Sequence, residues 1–259
     1  MLTMEIQIAT LGQSGLDRAA RMTLPRMDGL RYTVSAQSPD GSRLDVPVAL
    51  ERPDLEVHVH HSIGISLNRN YGLDRARADI IIVADDDLDY IVAGLEALRS
   101  YFAGHPEVDY VTFRHTGADC KYYPATESCL DGREPRNYYL TAFELAVRRT
   151  SLRPDVRFDT DFGPGAPYFL AGEDIVMLLT LQRAGLHGIF IPVDVCAHPG
   201  LTTGHRRATP GVLRAQGGYF RLRYGLAGGL LRTLRDIPRR PAPMWQSALH
   251  MLQGFFHKK

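Results

Sequence analysis

The chain has 259 residues, 44% apolar and 23% charged, which excludes a disordered chain and leaves ample length for a buried core. Its net charge of +1 excludes bulk attraction to nucleic acid, yet residues 201–259 carry eleven Lys or Arg and one acid, Asp236. The first 200 residues are therefore acidic and the end of the chain is basic.

Three cysteines, Cys120, Cys129 and Cys196, are too few for a secreted disulfide scaffold, and Cys120 and Cys129 are expected to be independent buried thiols. No signal-like opening is present, and no apolar run approaches the ~20 residues of a membrane span. These features predict a cytoplasmic protein, peripheral at the inner face of a membrane.

Along the chain, strand and helix signals alternate over the first 115 residues. Alternation predicts strands over 4–10, 31–37 and 55–60. Helices are expected over 16–24, stopped by Pro25, and over 65–78. The continuous apolar run 79–84 reads as a buried strand, followed by a helix over 90–102 and a strand over 108–113. This order implies βαβ units and a mostly parallel sheet. Residues 116–138 are loop-rich, 142–148 read as a strand, and 162–172 form a Gly/Pro/aromatic loop. A helix over 173–184 and a short strand over 188–192 follow. Residues 199–211 read as a mobile loop, and the basic end as helices broken at Pro238 and Pro241.

Four features carry candidate chemistry. Asp85, Asp86 and Asp87 follow the apolar strand directly, where ligands bind in open α/β sheets. Adjacent carboxylates repel unless solvated or neutralised, and oxygen ligands suit Mg²⁺ or Mn²⁺; an acidic turn capping the next helix is the structural alternative. Arg69 and Asn70 lie on the helix before that strand, placed to hold a diphosphate or a base. Glu173 and Asp174 open an apolar helix, where the dipole stabilises them and where one can serve as a general base. His198 gains interest only if it completes a metal shell with Asp87. His58 and His60 point one way along their strand and His61 the other, so no common site is expected.

The ordered set GISLNRNYGLDRARADIIIVADDDLDY (64–90) and FDTDFGPGAPYFLAGEDIVMLLTLQRAGLHGIFIPVDVCAH (158–198) resembles the family 2 glycosyltransferases of the GT-A fold. The resemblance covers roughly residues 4–205. It implies a Rossmann-like α/β fold with a mixed, mostly parallel sheet flanked by helices, and a basic helical C-terminal extension. The implied division is 1–205 for the transferase domain and 206–259 for the extension. Within the domain, 1–115 would be the nucleotide-binding half and 116–205 the acceptor-binding half.

By the same resemblance, Asp85 lies near the ribose and diphosphate with Asp86 assisting, and Asp87 and His198 hold a divalent metal, Mn²⁺ or Mg²⁺. Arg69 and Asn70 line the nucleotide site, and Thr10 and Gln37 end strands where the family holds the base. Many members carry an acid after the second strand; here the stretch is Ser35-Ala-Gln37-Ser38, which weakens that contact. Asp174, with Glu173 as the second choice, matches the catalytic base. The implied reaction is inverting transfer from a nucleotide-diphosphate sugar, a UDP-sugar foremost, to a hydroxyl of a glycan or lipid-linked acceptor, as in polysaccharide biosynthesis.

Arg206 and Arg207, in the loop 199–211 with Gly200 and Gly204 to permit movement, suit a loop closing over the diphosphate. The basic, aromatic end of the chain suits contact with an anionic membrane surface or packing on the acidic body. Two other classes stay open. A nucleotidyltransferase usually has a basic Gly-rich loop after the first strand, and Leu11–Gly15 has no cation before Arg18. A non-catalytic scaffold with a degenerate site would not need Asp85, Asp87, Asp174 and His198 together.

Overall fold

The computed structural model describes residues 1–117, 121–132, 134–199 and 209–257. Four strands form one half of a single sheet: β1 (Met4–Leu11), β2 (Leu30–Gln37), β3 (Leu55–His60) and β4 (Ile80–Ala84). They pair in parallel in the order β3-β2-β1-β4. Their carboxyl ends therefore share one edge, which collects Thr10, Gln37 and Asp85. β8 (Leu145–Arg148) pairs antiparallel with β4 and with β6 (Tyr110–Gly117). β6 then pairs in parallel with β9 (Gly188–His198), which delivers His198 to the same edge. Short strands β5 (Asp89–Tyr90) and β7 (Ser128–Cys129) pair antiparallel with β9. The long pairings are thus mainly parallel and the antiparallel ones are short, as expected for a mixed, mostly parallel sheet.

Alternation along β4 splits the core between the two faces. Ile80 and Ile82 join Ile6, Ile8 and the helices α1 (Gly12–Ala19) and α3 (Val92–Gly104) through Leu16, Leu95, Leu98 and Phe102. Ile81 and Val83 join Leu73 of α2 (Ile65–Arg75) and Met177, Leu178 and Leu181 of α4 (Glu173–Arg183). Helices on both faces leave the strand ends free for a site.

Three elements depart from the sequence expectation. α1 begins at Gly12 and ends at Ala19, four residues ahead of the predicted start. Its Gly15 is required because a Cβ there would lie 1.9 Å from Thr10 Oγ1. β9 continues through Pro192 to His198 rather than stopping at it. The pairing with β6 shifts register between Thr112 and Arg114, so Pro192 falls in an irregularity where no ladder bond is lost. Residues 142–144 form a 3-10 turn with a Thr141–Glu144 capping box, and only 145–148 are strand.

The extension is helical, as expected. α5 (Pro210–Asp236) is broken at Gly225, whose φ of 69° and ψ of −163° are non-helical. α6 (Met244–Phe256) follows a 3-10 turn at Ile237–Arg239. The first part of α5 packs on the body through Ala215 against Phe162, Phe169 and Val176. Arg223 adds an ion pair to Glu134 at 2.6 Å. Leu213, Phe220, Ile237 and Met251 form a separate small core within the extension. No helix among the described residues is long and apolar enough to cross a membrane.

Candidate active site

The site grows from the contact between α2 and the Gly/Pro loop. Gly64 (φ 110°) and Gly165 (φ 84°) lie against each other, and a Cβ on Gly165 would stand 2.8 Å from the Gly64 Cα. The Ile65 amide donates to the Pro164 carbonyl, and the Ser66 hydroxyl to the Phe162 carbonyl. This clamp brings the loop that leads into α4 alongside the first turns of α2. Asn68 fixes the other side: its amide donates to the Thr10 carbonyl, and its oxygen accepts from Ser35.

Arg69, one residue on, is buried and faces three carboxylates. Its guanidinium stands 2.7 Å from Asp85, 3.3 Å from Glu173 and 3.7 Å from Asp174. Asp85 follows β4, whereas the acid pair opens α4. Arg69 therefore ties the nucleotide-side carboxylate expected from sequence to the expected base. Burial works against its charge, but Asp85, Glu173 and Asp174 more than offset this and its pKa is raised. Burial, and then the charge of Glu173, holds the Asp174 carboxyl well above the usual carboxylate range, while Arg69 pulls the other way. Glu173 is buried against Arg69, whereas 26% of the Asp174 side chain reaches solvent. Asp174 is thus the acid that a substrate hydroxyl can approach.

The three adjacent aspartates face different ways. Asp86 is turned inward, where Thr10 donates to it and Arg18 forms a two-pronged pair at 2.9 Å. Burial raises its pKa, and those bonds oppose the rise. Asp86 and Thr10 therefore join β1, α1 and the end of β4, and both oxygens of Asp86 are occupied by protein.

Asp87 keeps 42% of its side chain exposed, and its Oδ2 lies 3.3 Å from His198 Nε2. Neighbouring ligands on one octahedral Mg²⁺ stand ~3 Å apart at bonds of about 2.1 Å, so this spacing fits two members of one shell. The pair needs further ligands: among the described residues the three-residue ligand cluster is elsewhere, at Cys129, Asp131 and His187. Cys129 is accordingly an exposed thiol and not the buried one expected.

Other nominated residues serve the scaffold. Asn70 donates to the Phe158 carbonyl and accepts from its amide, which ties α2 to the segment before the Gly/Pro loop. Gln37 donates to Ser62 and to the Gly64 carbonyl, which secures the turn before α2. The histidines diverge as expected: His58 faces Glu56, His60 stacks on Tyr71, and His61 contacts the Pro39 carbonyl. Arg206, Arg207 and the rest of 200–208 lie outside the described residues, as does the 205/206 boundary.

Sequence reasoning missed one buried network beside His198. Glu144 is fully buried and receives Lys121, Tyr123 and His115. The His115 ring meets that of His198 edge-on at 6.4 Å, and Phe143 stacks on His198 at 5.5 Å. The only signal for it was a capping-box pattern at Thr141 and Glu144.

No protein-family model and no curated protein sequence matches the chain. Its fold does match solved structures of TarS from S. aureus. The full TarS structure aligns over 98% of this chain and 43% of its own, at 13% identity and a TM-score of 0.59. TarS 1–349 with UDP-GlcNAc aligns over 98% of this chain and 73% of its own, at 14% identity and 0.58. TarS 1–349 with UDP gives 98% and 70%, at 13% identity and 0.59. The chain thus spans less than half of the full TarS chain, and what it shares with TarS is the fold.

Proposed function

We propose that this chain is a metal-dependent, inverting glycosyltransferase of the family 2, GT-A type, moving a hexosyl group from a UDP-sugar to an acceptor hydroxyl. The observation that carries the reading is Arg69, which unites Asp85 at the end of β4 with the acid pair Glu173–Asp174 opening α4. The neighbouring fold belongs to TarS, a glycosyltransferase solved with UDP-GlcNAc and with UDP, which supports the donor class. The acceptor class is a glycan or lipid-linked saccharide. Residues 1–205 form the transferase unit in this reading, with 1–115 on the donor side and 116–205 on the acceptor side.

In the mechanism, Asp85 and Arg69 orient the donor at the strand edge, and Arg206 adds a donor contact. Asp174 accepts the proton of the acceptor hydroxyl as the new C–O bond forms and the sugar–phosphate bond breaks. Attack from the face opposite the diphosphate inverts the anomeric carbon. Glu173 keeps Asp174 poised by like charge, and Arg69 holds Glu173 in place. Asp87 and His198 would hold Mn²⁺ or Mg²⁺, which offsets charge on the leaving diphosphate. The nucleotidyltransferase reading is disfavoured because Arg18, the first cation after β1, is spent on Asp86.

Thermal shift with UDP, GDP and dTDP, with and without Mn²⁺, tests this. A ligand at ~100 times its Kd adds about 2.7 kcal/mol to stability. A metal-dependent shift with UDP that is lost in Asp87→Ala is expected. No shift with any nucleotide, in folded protein, would move the weight to a non-catalytic scaffold.

A further inference from the structure

The extension presents two apolar stripes that are largely exposed among the described residues. On α6, Trp245, Leu249, Leu252 and Phe256 recur at i, i+4, i+7 and i+11 and so share one face. Trp245 is 67% exposed and Phe256 59%, and Leu249 is also exposed. The opposite face carries Ser247, Met251, Gly254 and Phe255, all buried. The outward stripe is therefore additional to the packing face and not a displaced core.

The second stripe follows the break at Gly225. Gly229, Thr233 and Ile237 face inward; round the helix from them come half-buried Leu230 and then exposed Leu234 and Leu231, the last at 70%, while Leu226, in the turn after the break, is also exposed. Beyond Leu231, at 100° per residue, come Arg235 and Arg232, both exposed, and Arg239 follows in the next turn. A leucine band bordered by arginines is the pattern of a helix lying in a lipid interface. The residue count agrees, since residues 209–257 hold a single acid, Asp236, which is paired to Arg240.

We infer that residues 226–256 form a binding site for an anionic phospholipid surface, with Trp245, Leu249 and Phe256 entering the acyl boundary and Arg232, Arg235 and Arg239 meeting the headgroups. The charge selects this occupant over a second copy of the chain, because apposing two such faces would bring arginines against arginines. The site is independent of the transfer chemistry, being built on the extension and not on the strand edge.

Trp245 is the only tryptophan, so its emission reports this face alone. The full chain is titrated with vesicles of phosphatidylcholine, pure or mixed with phosphatidylglycerol. The expected result is a blue shift with the mixed vesicles only, reversed by salt. Arg232→Ser, Arg235→Ser and Arg239→Ser together weaken vesicle affinity about 100-fold, at roughly a fivefold loss per basic residue. Leu249→Ser removes the shift while the chain stays folded by circular dichroism. An unchanged Trp245 emission with mixed vesicles overturns the inference, as does equal binding to pure phosphatidylcholine. So does a self-associated chain in sedimentation whose Trp245 is already blue-shifted without lipid, which would assign the face to a second copy.

Discussion

Removing the Arg69 cation is the sharpest perturbation of the site. In Arg69→Met the side chain keeps its bulk, but Asp85, Glu173 and Asp174 lose the charge that stands 2.7, 3.3 and 3.7 Å from them. Stripping one partner from a buried ion pair costs about 3–5 kcal/mol. Water can take over part of the role at Asp85 and Asp174, which are partly open, but not at Glu173, which is buried. The expected loss is therefore at the low end, about 3 kcal/mol near neutral pH. The sign of its pH dependence follows from linkage. Asp174, already held above the usual carboxylate range, loses the cation that pulls it down, so the penalty is full above its raised pKa and fades as pH falls towards the unfolded value of about 4. Urea unfolding of both proteins at about pH 7 and about pH 5 reads this directly, with a smaller difference at the lower pH. Arg69→Lys restores the charge without the fork and recovers part of the loss. A loss under ~1 kcal/mol, the range of an exposed pair, would refute the reasoning, as would one that does not shrink on acidification.

The remaining predictions concern catalysis and packing. In the proposed mechanism turnover needs the Asp174 carboxylate, so kcat/KM is expected to rise with pH through its raised pKa, with the acid limb above the ordinary carboxylate value of about 4. Glu173→Gln removes the like charge and moves that limb to lower pH; an unmoved limb speaks against the coupling. Gly15→Ala places a Cβ 1.9 Å from Thr10 Oγ1 and is expected to cost about 1–3 kcal/mol, seen as a lower Tm. An unchanged Tm would show that the Thr10–Asp86 knot yields freely. Asn70→Ala removes both bonds to the Phe158 backbone and costs about 2 kcal/mol, but leaves UDP affinity unaltered. A lowered affinity with intact stability would place Asn70 at the nucleotide site.

The half of the sheet built from β1 to β4 was legible because its strands alternate or run apolar without interruption. The errors came where a local signal competed with a distant partner. Gly12 and Gly15 read as breakers, yet both lie in α1, and at Gly15 Thr10 and Asp86 leave no room for a side chain. Pro192 read as a strand end, but an irregular register absorbs it. The triple aspartate was legible as a carboxylate turn at the strand edge, and the directions its members face were not. Asp86 faces inward because Arg18, 68 positions away, meets it, and spacing carries no trace of that pair. Asn70 and Gln37 were chosen by type and position, but their amides complete backbone bonds of nearby loops. Glu144 escaped notice because an alternating strand over 142–148 sets it opposite the apolar residues, whereas a 3-10 turn buries it.

The central claim is that Asp174 takes the proton of the attacking hydroxyl without helping to bind the donor. Calorimetric titration of UDP with Mn²⁺, paired with UDP release from a UDP-sugar, separates the two roles in the wild-type chain and in Asp174→Asn. The account predicts equal UDP affinity in both proteins and a turnover loss of about 10²–10⁴-fold in the variant. UDP release at the wild-type rate by Asp174→Asn would contradict it, and so would failure of the folded wild-type chain to bind UDP.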